Sequence, residues 1–143
     1  ERAAGARRPL VVGDRLDTDI AGALAAGMDS LLVLSGATTP MEVLAAQHNQ
    51  RPKYLVADLR GVLAPAAELA IREQSNWLTW IDDGVLVVKH NGGPRDRLSL
   101  LRALCACWWA EGDGNQFTLR AADQIAKTAL LELYQRRLHY QEG

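Results

Sequence analysis

Three carboxylates crowd the stretch VVGDRLDTDIAGALAAG: Asp14, Asp17 and Asp19 fall within six residues, directly after an apolar run. Carboxylates at the end of a strand are hard oxygen donors. Mg²⁺ takes one or two such groups from a protein and completes its shell with water and substrate phosphate. Asp14 is the candidate ligand, because it follows the strand at once and Gly13 keeps the approach free of a side chain. Asp19, five residues on in the first helical turn, can fold back towards the same spot. Asp17 or Thr18 can cap the helix through a side-chain oxygen. Spacing alone also allows a plainer reading, in which the acids serve only the turn and the helix N-terminus.

Other reactive types are scattered. His48, His90 and His139 have no partner at metal-ligand spacing, and Lys53 opens a strand where its ammonium is solvated. Cys105 and Cys107 are two apart on a helix, which suits neither a local disulfide nor a CxxC knuckle. The segment NGGPRD, residues 91–96, is rich in glycine and precedes a helix start. It is short and generic, so a tight turn is expected there and not a phosphate loop.

The elements that must position the acids alternate. Residues 10–13 (LVVG) read as a strand buried on both faces, 18–26 as a helix closed by Gly27, and 30–34 (SLLVL) as a second buried strand. Thr39 is placed to cap a helix with Pro40 at its first position and Glu42 in its first turn. KYLV, 53–56, is a third strand, followed by a loop through Asp58. Strands and helices at this spacing imply βαβ units and a parallel sheet. In such sheets ligands bind beyond the carboxyl ends of the strands, where Asp14 falls. Three parallel strands are few for a doubly wound domain, and residues 2–8 read as the last turns of a helix. We therefore expect the chain to begin inside a domain.

From residue 64 the strand rhythm stops, and 64–75 reads as a linker with one helical turn. Trp77–Ile81 and Val85–His90 then form a hairpin around Asp83-Gly84. Asp96 caps a helix from Arg97 to about Ala110, with Leu98, Leu101, Leu104, Cys105 and Trp108 on one apolar face. A strand over 116–120 and a long amphipathic helix over 122–140 complete a β-β-α-β-α module. The four tryptophans read as core or interface anchors.

The segment GDRLDTDIAGALAAGMDSLLVLSGATT, with PKYLVADLRGV after it, resembles the fourth conserved motif and following strand of the haloacid dehalogenase (HAD) superfamily. More narrowly, it is similar to the branch of phosphoglycolate, p-nitrophenyl phosphate and glycerol-3-phosphate phosphatases. The tail, with its IDDG…SLLRAL pattern, resembles the acetyltransferase-like region of the GCN5-related type carried by actinobacterial members of that branch. The resemblance implies a partial HAD-type (Rossmann-like) α/β sheet over 1–63 and an α+β module over 76–143.

It further implies a phosphomonoester phosphatase acting on a small phosphorylated metabolite, such as glycerol 3-phosphate or 2-phosphoglycolate. The implied cofactor is Mg²⁺, which the resemblance has Asp14 hold in part and Asp19 serve by orienting metal-bound water or neighbouring groups. The implied reaction passes through an aspartyl-phosphate. No DxDGT segment occurs here, so the nucleophile and the acid/base are expected upstream; the resemblance places the lysine, of a Gly-Lys-Pro segment, just before Glu1, and the rest of the HAD core and the cap domain are the implied partners. No acetyl-coenzyme A loop of the R/Q-x-x-G-x-G/A kind is found, so the tail is expected to be regulatory or structural. Its apolar excess is expected to face the core or a second copy in a homo-oligomer. The alternative is a non-catalytic binding module with a coenzyme A-sensing tail.

The net charge of −1 gives no electrostatic footprint for nucleic acid or an acidic membrane surface. No apolar run approaches the roughly 18 residues of a membrane span. ERAAGARRP has no apolar core of a signal peptide, and a cytoplasmic setting is expected.

Overall fold

A computed structural model describes residues 9–112, 114 and 116–142, with backbone alone over 135–142; the helix read over 2–8 lies outside the described residues. The chain divides into two compact units. The first takes the described residues up to Thr38 together with Ala46–Ala70. The second takes Thr39–Ala45 and the described residues from Ile71 onward.

In the first unit, strands β1 (Leu10–Gly13), β2 (Asp29–Val33) and β3 (Tyr54–Val56) form a parallel sheet in that order. Gly13 pairs with Leu32, and Val33 with Val56. Period-two alternation sends Leu31, Val33 and Val56 to one face, where they pack with Leu69 of helix α3 (Ala66–Leu69). Leu32 and Leu55 are fully buried on the other face.

β1 departs from the expectation of burial on both faces: Leu10 is 47% and Val12 44% exposed. It is an edge strand of this sheet, and the described residues leave that face of it uncovered.

The helix expected at 18–26 begins earlier and in two parts. A wide turn over Leu16–Ile20, closed by Ile20 N donating to Arg15 O at 3.1 Å, leads into α1 (Ala21–Ala25). Gly27 ends it with φ +72°. Its amide donates to Leu24 O and that of Met28 to Ala23 O, the paired bonds of a Schellman motif. After β3, a 3₁₀ segment over Leu59–Leu63 replaces the plain loop, started by Asp58 accepting the Arg60 amide.

In the second unit, β4 (Trp77–Asp82) and β5 (Val85–His90) form the hairpin, with Asp83 at φ 51° and Gly84 at φ 79°. Both turn residues have positive φ, as a type I′ turn requires. Helix α4 (Arg97–Glu111) then crosses over to β6 (Leu119–Ala121), which pairs parallel to β5, and α5 (Gln124–Glu142) follows. The β-β-α-β-α order is as expected.

Helix α4 is not one-sided. Residues 99–105, 107 and 108 are all buried, because β4, β5, α5 and the short helix α2 (Pro40–Leu44) all lie against it. The α2 helix starts in a complete capping box between Thr39 and Glu42. At its other end Trp109 Nε1 donates to Leu44 O at 3.1 Å. Among the described residues no helix is long and apolar enough to cross a membrane.

Candidate metal site at the end of β1

β1 stops at Gly13, and the turn that follows bends back on itself through Asp19. The Oδ2 of Asp19 accepts the amide of Asp14 at 3.1 Å and that of Arg15 at 3.2 Å. These amides have left the sheet ladder, so a side chain supplies the acceptor they need. The space where a Gly13 side chain would stand is taken by the Asp19 carboxyl group. Gly13 is thus required by Asp19, and the space that the sequence was expected to leave open for a ligand is filled by that carboxyl group.

Asp14 itself is partly exposed and meets the loop that follows β2. Thr38 Oγ1 donates to the Asp14 carbonyl oxygen at 2.7 Å, and Ser35 Oγ donates to Asp14 Oδ2 at 3.3 Å. Neither Ser35 nor Thr38 was singled out from the sequence. The signal was present, since β2 neighbours β1 and a loop after β2 must pass the carboxyl end of β1.

The cap expected of Asp17 or Thr18 falls elsewhere. The N-cap position of the wide turn is Arg15, whose side chain makes no capping bond, and both Asp17 and Thr18 are exposed inside the turn. Asp17 instead faces Arg15, with Nε to Oδ1 at 3.2 Å and Nη2 to Oδ2 at 3.1 Å. The guanidinium holds the Asp17 carboxyl below its ordinary value by hydrogen bonding first and charge second. Both groups are open to solvent, so the pair contributes little to stability. Of the three acids, Asp14 offers a carboxylate at the strand end, Asp19 fastens the turn, and Asp17 is turned aside.

The donor set here is small. Among the described residues no three His, Cys, Asp or Glu side chains are grouped to hold a metal ion. A single carboxylate fits Mg²⁺ as one of its protein ligands and no more.

The other candidates resolve as structure. Lys53 pairs with Asp29 at 3.4 Å. The His90 ring lies edge-on to Trp77 with centroids 4.9 Å apart, and its Nε2 is 3.2 Å from Gly93 O. His48 sits exposed in a 3₁₀ turn, and the His139 side chain lies outside the described residues. Cys105 and Cys107 are not joined in a disulfide and are buried in α4. The NGGPRD turn runs through Gly92 and Gly93, at φ +85° and +82°, to Asp96, whose Oδ2 accepts the Ser99 amide at 2.9 Å. That carboxylate already occupies the start of α4, where a bound phosphate would have to lie.

Residues 2–62 match the HAD-hydrolase-like family model, and residues 74–133 match the GCN5-related N-acetyltransferase-like domain. The chain therefore joins a HAD-like segment to an acetyltransferase-like one.

Among individual proteins it is similar to the D-glycerol 3-phosphate phosphatase of Mycobacterium tuberculosis (strain ATCC 25618 / H37Rv). The two are 39% identical over 134 residues, covering 87% of this chain and 38% of that protein. Two crystal structures of glycerol phosphate phosphatase from Mycobacterium tuberculosis match with a TM-score of 0.80. The calcium complex is 36% identical and the magnesium complex 38%, each over 89% of this chain and 38% of theirs. The chain thus spans under two fifths of the length of these relatives.

Proposed function

We propose that this chain is the C-terminal part of a Mg²⁺-dependent phosphomonoester phosphatase of the HAD type, with Asp14 as one of its metal ligands. The observation that carries the reading is the Asp14 carboxylate at the carboxyl end of β1, braced by Asp19, Ser35 and Thr38. It stands in a HAD-like segment whose relative is a phosphatase with a magnesium-bound structure. When bound, Mg²⁺ offsets phosphate charge and orients the ester for attack.

The work of this chain is to present Asp14 and hold it still. Asp19 fastens the backbone on the amide side and Thr38 on the carbonyl side, so the carboxylate leaves the strand in one direction. The attacking Asp and the acid/base lie outside this chain, since none of its segments has the DxDGT pattern, and so does the phosphate-binding lysine, since no Gly-Lys-Pro segment occurs in it. The leading substrates are glycerol 3-phosphate and 2-phosphoglycolate. The acetyltransferase-like module acts without chemistry of its own, in a structural or regulatory capacity. Asp96 at the start of α4 supports that, because it repels the pyrophosphate of a coenzyme there.

A substrate panel tests the proposal. The complete protein carrying this chain releases phosphate from one or both esters only when Mg²⁺ is present. The purified 143-residue chain turns over no p-nitrophenyl phosphate, because it has no nucleophile to form a phosphoaspartate. Steady turnover by the chain after repurification contradicts the account of its missing parts. Absence of any phosphatase activity in the complete protein contradicts the reading as a whole.

A further inference from the structure

We infer that Thr38, with Ser35 beside it, is a positioning residue for Asp14: the loop after β2 is a built part of the metal site and not a passive connection. The inference rests on the reading of Asp14 as a metal ligand. Asp14 follows the last residue of β1 and is outside the sheet ladder. Backbone at such a place ordinarily turns to water. Here its N–H is taken by Asp19 and its C=O by Thr38, so both peptide groups flanking its α-carbon are pinned by side chains.

The Thr38 bond is the shorter, at 2.7 Å, and Thr38 is only 6% exposed, so water competes poorly for it. Ser35 then donates to the carboxylate itself, 3.3 Å from Oδ2. Three side chains from two separate loops thus converge on one acid. A helix cap or a surface turn needs no such bracing.

The energetic logic follows. Binding a small hard cation through one carboxylate demands that the carboxylate be in place beforehand, because fixing it on binding would cost rotamer and backbone entropy. Groups that hold a metal ligand in position typically contribute about 10- to 100-fold in metal affinity. Thr38→Val keeps the shape of the side chain but removes the hydroxyl, leaving the Asp14 carbonyl without that partner. Thr38→Ser keeps the hydroxyl and loses one methyl. The two variants therefore separate the hydrogen bond from packing.

The test uses the complete protein and measures Mg²⁺ binding by calorimetry, with kcat and KM for p-nitrophenyl phosphate alongside. Thr38→Val is expected to weaken Mg²⁺ binding by about tenfold, and Ser35→Ala by about threefold. Thr38→Ser is expected to stay within about twofold of the natural protein.

Mg²⁺ affinity unchanged in both Thr38→Val and Ser35→Ala, while Asp14→Asn loses binding, overturns the inference and leaves the reading of Asp14 standing. Unchanged affinity in Asp14→Asn overturns that reading instead. An equal loss in Thr38→Ser and Thr38→Val assigns the effect to packing and also overturns the inference. Should Thr38→Val not fold, Ser35→Ala decides alone, since Ser35 is exposed and its loss leaves the core intact.

Discussion

Asp19 is folded back onto the end of its own strand, its carboxyl group filling the space beside Gly13 and accepting the Asp14 amide at 3.1 Å. A methyl group at residue 13 cannot share that space. Gly13→Ala is expected to push Asp19 away and break its bonds to the Asp14 and Arg15 amides, costing about 1–3 kcal/mol as overpacking does elsewhere. Urea denaturation measures it. A midpoint equal to that of the natural chain contradicts the role given to Asp19.

The second unit has its own polar hub in Ser99. Its hydroxyl donates to Asp96 Oδ1 at 2.7 Å and accepts from Asn76 Nδ2 at 2.9 Å and Trp77 Nε1 at 3.0 Å. Asn76, Trp77 and Ser99 are all buried. Ser99→Ala strips an acceptor from two buried donors, and each such loss costs about 1–3 kcal/mol. A loss of about 2–5 kcal/mol in chemical denaturation is therefore expected. Less than about half a kcal/mol would mean that the hub does not stabilise the module.

Much of this was legible beforehand, and the reasons are local. The capping box at Thr39, the Asp83-Gly84 turn, the Asp96 cap and the Gly27 helix end each depend on neighbours within a few residues. Asp14 was placed at the strand end by chain order alone. What escaped depends on contacts distant in sequence. Ser35 and Thr38 meet Asp14 across 21 and 24 residues, which requires β2 to lie beside β1. The expected apolar face of α4 proved too narrow because helix α2, far back in the sequence, also packs on it. Asp17 was read as a cap because acids favour helix starts, yet Arg15 two residues earlier offered it a fork of donors. Asp19 held two amides that no spacing rule assigns to it.

The thiols of α4 give a third test. Burial pushes the Cys107 thiol up, Thr79 offsets part of this by a hydrogen bond, and the Glu111 and Glu73 charges add to the rise. The thiolate is therefore scarcer at a given pH than in an open cysteine. Native alkylation by iodoacetamide should be far slower than in urea, where both cysteines react. The linked stability is present below the ordinary thiol range near about 8.5 and is lost as pH rises through the raised folded value. Labelling as fast in buffer as in urea contradicts the burial of these residues.

Acetyl-coenzyme A should leave the melting temperature of the complete protein unchanged. The NGGPRD turn is the only glycine-rich run before a helix in the module's sequence, and Asp96 already caps that helix. A saturable upward shift that disappears when Gly92 and Gly93 are both replaced would overturn this and favour a ligand-sensing tail.

The central claim is that Asp14 ligates Mg²⁺. Calorimetric titration of the complete protein with Mg²⁺, beside its Asp14→Asn variant, tests it most directly. The variant keeps the size of the side chain and an oxygen that can accept from Ser35, but removes the negative charge that a hard cation requires. The account predicts saturable binding in the natural protein and a loss of about a hundredfold or more in the variant. Equal Mg²⁺ affinity in the two proteins would contradict it.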